Sequence, residues 1–176
     1  SMSNIILVSG GVKSGKSEFA EYLASKEKCL TYIALSELRP SDIEWQKKVS
    51  SHKSRRPKSW NLIETENLLP IIQFDKGSLL IDSLGGFIVN TLEKKDEEWE
   101  NCLNKLLYYL KIYKSKVIIV SEQTGWGLVS EFEIGNLYTE RLGISLKEIT
   151  KISKENWLTI NGKAIRLDTM YFDIPV

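Results

Sequence analysis

Apolar residues along this chain fall mostly in short unbroken runs, with longer amphipathic stretches between them. Unbroken runs are the pattern of strands covered on both faces, and amphipathic stretches are the pattern of helices lying on a sheet. Asn4–Ser9 is such a run and leads into glycines, so it predicts a buried strand; Glu18–Lys26, with Phe19, Ala20 and Leu23, predicts the helix that follows. Cys29–Ala34 predicts a second strand, and Ser41 with Glu44 three residues on has the capping-box spacing of a helix running to about Ser51, before Pro57 closes that basic segment. Trp60–Thr65 and Ser78–Asp82 predict strands separated by a short amphipathic stretch holding Pro70, and Leu84–Leu92 predicts a helix. The acidic run Asp96–Glu100 opens a long helix to about Lys114, Lys116–Ser121 is a strand rich in Val and Ile, and Glu133–Lys154 reads as helix despite Gly135 and Gly143. Trp157–Ile160 and Lys163–Leu167 flank Asn161-Gly162, the dipeptide favoured in two-residue hairpin turns, so the last two strands are expected to be antiparallel.

Strands alternating with helices imply a mainly parallel sheet covered on both faces. With no internal repeat, linker or low-complexity stretch, residues 1–176 are expected to form one domain, leaving aside Ser1, which reads as a cloning remnant ahead of Met2. The 176 residues, 42% hydrophobic, suffice for a core without disulfides. Lys and Arg number 24 against 23 for Asp and Glu, so no global field draws the chain to nucleic acid or an anionic membrane. Cys29 and Cys102 are far apart with no metal-ligand spacing, which fits a reducing cytoplasm, and the apolar burst Ile5–Val8 is far too short for a leader or a membrane span.

Chemistry concentrates in the first helix entry. Gly10-Gly11-Val12-Lys13-Ser14-Gly15-Lys16-Ser17 matches the Walker A pattern, a loop whose backbone N–H groups face phosphates while the next helix adds its N-terminal partial charge. Lys16 is expected on the β and γ phosphates and Ser17 on Mg²⁺. The bland alternative is a plain glycine turn, but the strand before it and the helix after it are the context a triphosphate loop requires. The fold class is therefore α/β, a P-loop NTPase-like (RecA-like), mainly parallel sheet flanked by helices, with a C-terminal antiparallel hairpin. Leu79–Asp82 resembles a Walker B strand ending in a carboxylate for the metal or the nucleotide, although apolar strands often end in Asp for no such reason. Between Lys47 and Lys58 lie Lys48, His52, Lys53, Arg55 and Arg56, and His52 is the one histidine of the chain. A basic helix face is usually just solvated; a neutral imidazole is nonetheless a competent nucleophile at phosphorus, so both readings of His52 stand on the residues alone.

Several blocks in one order resolve the choice. IILVSGGVKSGKS, TYIALS (Thr31–Ser36), HKSRRPKSW (His52–Trp60), IETEN (Ile63–Asn67), LLID and VSEQTGWGLV (Val120–Val129) resemble the bifunctional adenosylcobinamide kinase and adenosylcobinamide-phosphate guanylyltransferase family of cobalamin biosynthesis. In that family a His-Lys pair is followed by Arg-Pro and then Trp, matched here by His52, Lys53, Arg56, Pro57 and Trp60. The resemblance implies that His52 attacks the α-phosphate of GTP and carries GMP, that ATP or GTP with Mg²⁺ serves a separate kinase step, and that the acceptor is a corrinoid. It further implies a nucleotide site lined by Gly10–Ser17, by Ala34, Leu35 and Ser36, by Lys53, Ser54, Arg55 and Arg56, and by Glu64 and Asp82, in a homotrimer. The sequence departs from the family pattern at Ser130, where a loop proline is usual, and at Leu146 and Lys147, which replace an Asn-Gln pair. The competing readings are a P-loop kinase of another small alcohol and a nucleotide-controlled binding protein without an acceptor.

Overall fold

The computed structural model describes residues 3–35, 56–123 and 133–175. Within them seven strands form one sheet: β1 (Ile5–Gly10), β2 (Leu30–Leu35), β3 (Asn61–Thr65), β4 (Ser78–Asp82), β5 (Val117–Glu122), β6 (Glu155–Ile160) and β7 (Lys163–Arg166). Five helices accompany them: α1 (Lys16–Ala24), α2 (Leu69–Phe74), α3 (Leu84–Val89), α4 (Asp96–Ile112) and α5 (Glu133–Ile152). The helix expected from Ser41 to Ser51 lies outside the described residues.

The strands run in the order β3-β2-β4-β5-β1-β6-β7, all neighbours parallel except β6 and β7. This is the α/β sheet and terminal hairpin that the alternation of runs predicts. At the hairpin, Asn161 and Gly162 both have positive φ, 52° and 72°, the requirement of the turn type that their dipeptide favours. All six residues of β1 are buried, because helices cover both faces of the sheet centre.

Side chains alternate across the sheet, so each strand feeds two cores. Ile5 and Leu7 of β1 join Ile33, Leu79, Ile81, Val117 and Ile119 under the apolar sides of α2 to α5. Ile6 and Val8 join Tyr32, Leu80, Ile118 and Val120 on the other face, against Ala20 and Ala24 of α1. In α4 the buried residues Trp99, Leu103, Leu106 and Leu110 recur at helical spacing, which is why that acidic helix lies flat on the sheet. Buried Arg141 of α5 pins the α3–α4 turn, donating to the carbonyls of Thr91 at 2.5 Å and Lys94 at 2.8 Å.

The entry of α3 onto β2 depends on Gly86, where a Cβ would stand 1.8 Å from the main-chain oxygen of Leu35. Alanine in a helix interior gains about 0.5–1 kcal/mol over glycine, but a backbone clash of this kind costs about 3 kcal/mol, so the clash wins. Gly86→Ala is expected to lower the urea midpoint clearly; an unchanged midpoint would show that α3 moves freely away from β2.

Candidate active site

β1 ends at Gly10 and α1 begins at Lys16, so the Walker A residues form the turn between a central strand and a helix N-terminus. Two residues bend that turn through the left-handed region, Lys13 at φ 57° and Gly15 at φ 92°. Gly15 is also the residue before the first helical turn, and its carbonyl accepts from Phe19 N–H at 2.9 Å. Gly10 has no space for a side chain, since a Cβ there would lie 2.2 Å from Thr159 Oγ1 and 2.4 Å from Ser14 Oγ. Val12, 86% exposed, sits at the open tip, and Lys16 Nζ donates to the Gly11 carbonyl at 3.2 Å, which holds the ammonium back over the loop. Strand, bent loop and helix N-terminus together form a phosphate cradle.

Register sets the next group. Ala34 of β2 is paired with Glu64 of β3 on one side and Asp82 of β4 on the other, so these three expected site residues share one level at the C-terminal ends of parallel strands. Asp82 is two residues along β4 from Leu80, which packs on the α1 face; its carboxylate therefore lies on the side of the sheet that carries the P-loop helix and Ser17. A hydroxyl and a carboxylate are the hard oxygen donors that Mg²⁺ takes beside substrate phosphates, so this pair fits that ion. Leu35 differs from its neighbours: its side chain is buried in the opposite core, and only its main chain can face a ligand.

Asp82 accepts a hydrogen bond from the Tyr32 hydroxyl. Burial, and next the Asp82 charge, push the Tyr32 hydroxyl far above the usual phenol range, with Arg56 opposing them, so it remains a donor. The Arg56 guanidinium lies 3.5 Å from the Tyr32 ring centroid, and its Nε is 3.7 Å from Glu21 Oε1 of α1. With side chains only 10% and 12% exposed, Arg56 and Glu21 form a largely buried ion pair. Arg56 thus has protein partners that seat it beside the strand next to Asp82. The other residues expected around it, Ser36, His52, Lys53, Ser54 and Arg55, lie outside the described residues.

Two features escaped the sequence reading. Glu122 ends β5, the strand between β1 and β4, opposite Gly10 in register. Its carboxylate accepts from Ser83 Oγ at 2.6 Å and Gly85 N–H at 3.1 Å, fixing the chain just after Asp82. Burial, together with the Glu122 charge, raises the nearby Tyr138 hydroxyl to about 12. Glu122 carried the same signal as Asp82, an acidic residue closing an apolar strand. The second feature is Thr159 on β6, whose hydroxyl is 2.8 Å from Ser14 Oγ and which no local pattern marks.

A family model described as cobinamide kinase / cobinamide phosphate guanyltransferase matches residues 6–167. The chain belongs to this family. The match spans every expected site residue, and the family joins two transfer activities, so the chain is a transferase of the kinase and guanyltransferase type. Among similar proteins is the bifunctional adenosylcobalamin biosynthesis protein CobU of Escherichia coli, 26% identical over 181 residues that cover 93% of this chain and 99% of the relative. The corresponding CobP protein of Pseudomonas aeruginosa is 28% identical over 162 residues, covering 89% and 92%. Among solved structures, a type III secretion ATPase of pathogenic bacteria superposes with a TM-score of 0.59 at 10% identity. It covers 89% of this chain, which spans about half (52%) of that one. A protein of Pyrococcus horikoshii gives a TM-score of 0.50 over 93% of this chain and 85% of its own. These two likenesses show the fold, a P-loop NTPase sheet.

Proposed function

We propose that this protein phosphorylates adenosylcobinamide with ATP or GTP and transfers GMP from GTP to adenosylcobinamide phosphate through a guanylylated His52, giving adenosyl-GDP-cobinamide. Membership in a family described by both activities supports the two reactions. The observation that carries the guanylyl step is the seat of Arg56 on Tyr32, whose hydroxyl bonds to Asp82. His52 precedes Arg56 by four residues, a separation that full extension limits to about 14 Å.

In the kinase step the acceptor hydroxyl attacks the γ-phosphorus, the β–γ anhydride breaks, and the nucleoside diphosphate leaves with the bonding pair. In the guanylyl step a neutral ring nitrogen of His52 attacks the α-phosphorus and pyrophosphate leaves. A phosphate oxygen of the corrinoid then attacks the same phosphorus, the P–N bond breaks, and its electron pair returns to the imidazole. Lys16 and the loop N–H groups neutralise charge in both transfers. Ser17 and Asp82 would hold Mg²⁺, which supplies charge neutralisation on the phosphates. Incubation with adenosylcobinamide and GTP should yield adenosyl-GDP-cobinamide and pyrophosphate; consumption of GTP without any corrinoid product would contradict the reading.

The chain is proposed to work as one domain in the cytoplasm; among the described residues no helix is long and apolar enough to cross a membrane. We expect a homotrimer, as the family resemblance implies. The departures on α5 bear on this unevenly: Leu146 packs against the core of its own chain, whereas Lys147 is exposed. Sedimentation should report three copies of the 20.1 kDa chain at micromolar concentration, and a monomer would refute the trimer and point first to Lys147.

A further inference from the structure

The phosphate-binding loop does not hold its shape alone. Ser14, at its centre, is only 7% exposed, and its hydroxyl is 2.8 Å from that of Thr159, itself 2% exposed. Thr159 donates onward to the Ser9 carbonyl at 3.3 Å, which leaves Ser14 as the donor of the pair. Three residues further along, Gly162 N–H of the hairpin turn donates to the Ser14 carbonyl at 3.3 Å. Thr159 also stands opposite Gly10 in the β1–β6 register. Below the loop, Trp157 of β6 packs edge-on against Phe19 of α1 at 4.9 Å. The C-terminal hairpin thus grips both the side chain and the main chain of one loop residue, and touches the strand before the loop and the helix after it.

We propose that Thr159 is a positioning residue for nucleotide binding, its hydroxyl holding Ser14 so that the loop keeps the backbone shape that receives phosphate. The inference rests on the nucleotide reading of Gly10–Ser17 and is independent of the guanylyl step. Replacing the hydroxyl by a methyl of the same shape leaves a buried Ser14 hydroxyl without its acceptor, a strain that the loop relieves by moving.

GTP titration of the wild type, Thr159→Val and Thr159→Ser tests this. Thr159→Val should raise the Kd and the KM for GTP about tenfold, with kcat changed by no more than about twofold. Thr159→Ser keeps the hydroxyl and loses the methyl, so it packs worse than valine yet should bind within about twofold of wild type. That rescue separates hydrogen bonding from packing. Wild-type affinity in Thr159→Val, or equal loss in the valine and serine variants, would overturn the role of the hydroxyl. Should Thr159→Val fail to fold, Ser14→Ala removes the other hydroxyl and should show the same loss; unchanged affinity there would overturn the inference. A wild-type protein that binds no GTP would overturn the nucleotide reading itself, and this inference with it.

Discussion

Lys16→Ala is expected to lower both kinase and guanylyl transfer rates by at least about 10²–10³-fold, the usual loss when one preorganised charge-stabilising group is removed from a transfer site. Lys16 is the first residue of α1, and its ammonium is held by a carbonyl of the loop at 3.2 Å, so its position is set before any nucleotide arrives. Both transfers, as proposed, break a phosphoanhydride and place new charge on a leaving diphosphate or pyrophosphate, and one lysine placed beside the β and γ phosphates would serve each. The side chain is partly exposed and makes a single described hydrogen bond, so thermal unfolding should be little affected. Steady-state rates of both reactions in the purified variant check this. Near-wild-type turnover of either one would mean that the Gly10–Ser17 loop is not where that reaction takes place.

His52→Ala should behave differently, abolishing guanylyl transfer while kinase activity remains measurable. The γ-phosphoryl step is a direct displacement by the acceptor hydroxyl and needs no enzyme nucleophile, whereas the guanylyl step as proposed passes through a P–N bond. Only the neutral ring has a lone pair to give, so the guanylylation rate should rise with pH as the imidazole loses its proton. Parallel assays of corrinoid phosphate formation and of GMP transfer read the split. Equal loss of both would place His52 in the structure of the site rather than in its chemistry.

The parts of this fold that were legible in the sequence are those with local causes. Ser78–Asp82 is expected and observed as the same strand because its apolar run is bounded sharply on both sides, and the hairpin follows from Asn161-Gly162 alone. Helix α1 begins at Lys16 rather than near Glu18 because the Walker A residues make its first turn themselves. The parts that were not legible depend on which strands become neighbours. Ser14 and Thr159 are 145 residues apart, and only the placement of β6 beside β1 brings their hydroxyls together. The bond from Tyr32 to Asp82 likewise requires β2 to lie against β4. Leu35 shows a weaker use of what was available: with Ala34 on the α1 face, strand alternation alone turns Leu35 to the other core. Membership in the family adds what no single motif could, because it covers His52, Glu64 and Asp82 in one match with the P-loop.

The central claim is a covalent guanylylated histidine, and intact-mass analysis after incubation with GTP and Mg²⁺ tests it most directly. The wild-type protein should gain the mass of one GMP, and the adduct should be lost in mild acid and survive alkali, as a phosphoramidate does and an acyl phosphate on Asp82 or Glu64 would not. The His52→Ala variant should gain nothing. An adduct that persists in that variant, or a wild-type protein that turns over GTP and corrinoid phosphate without ever carrying GMP, would contradict the account.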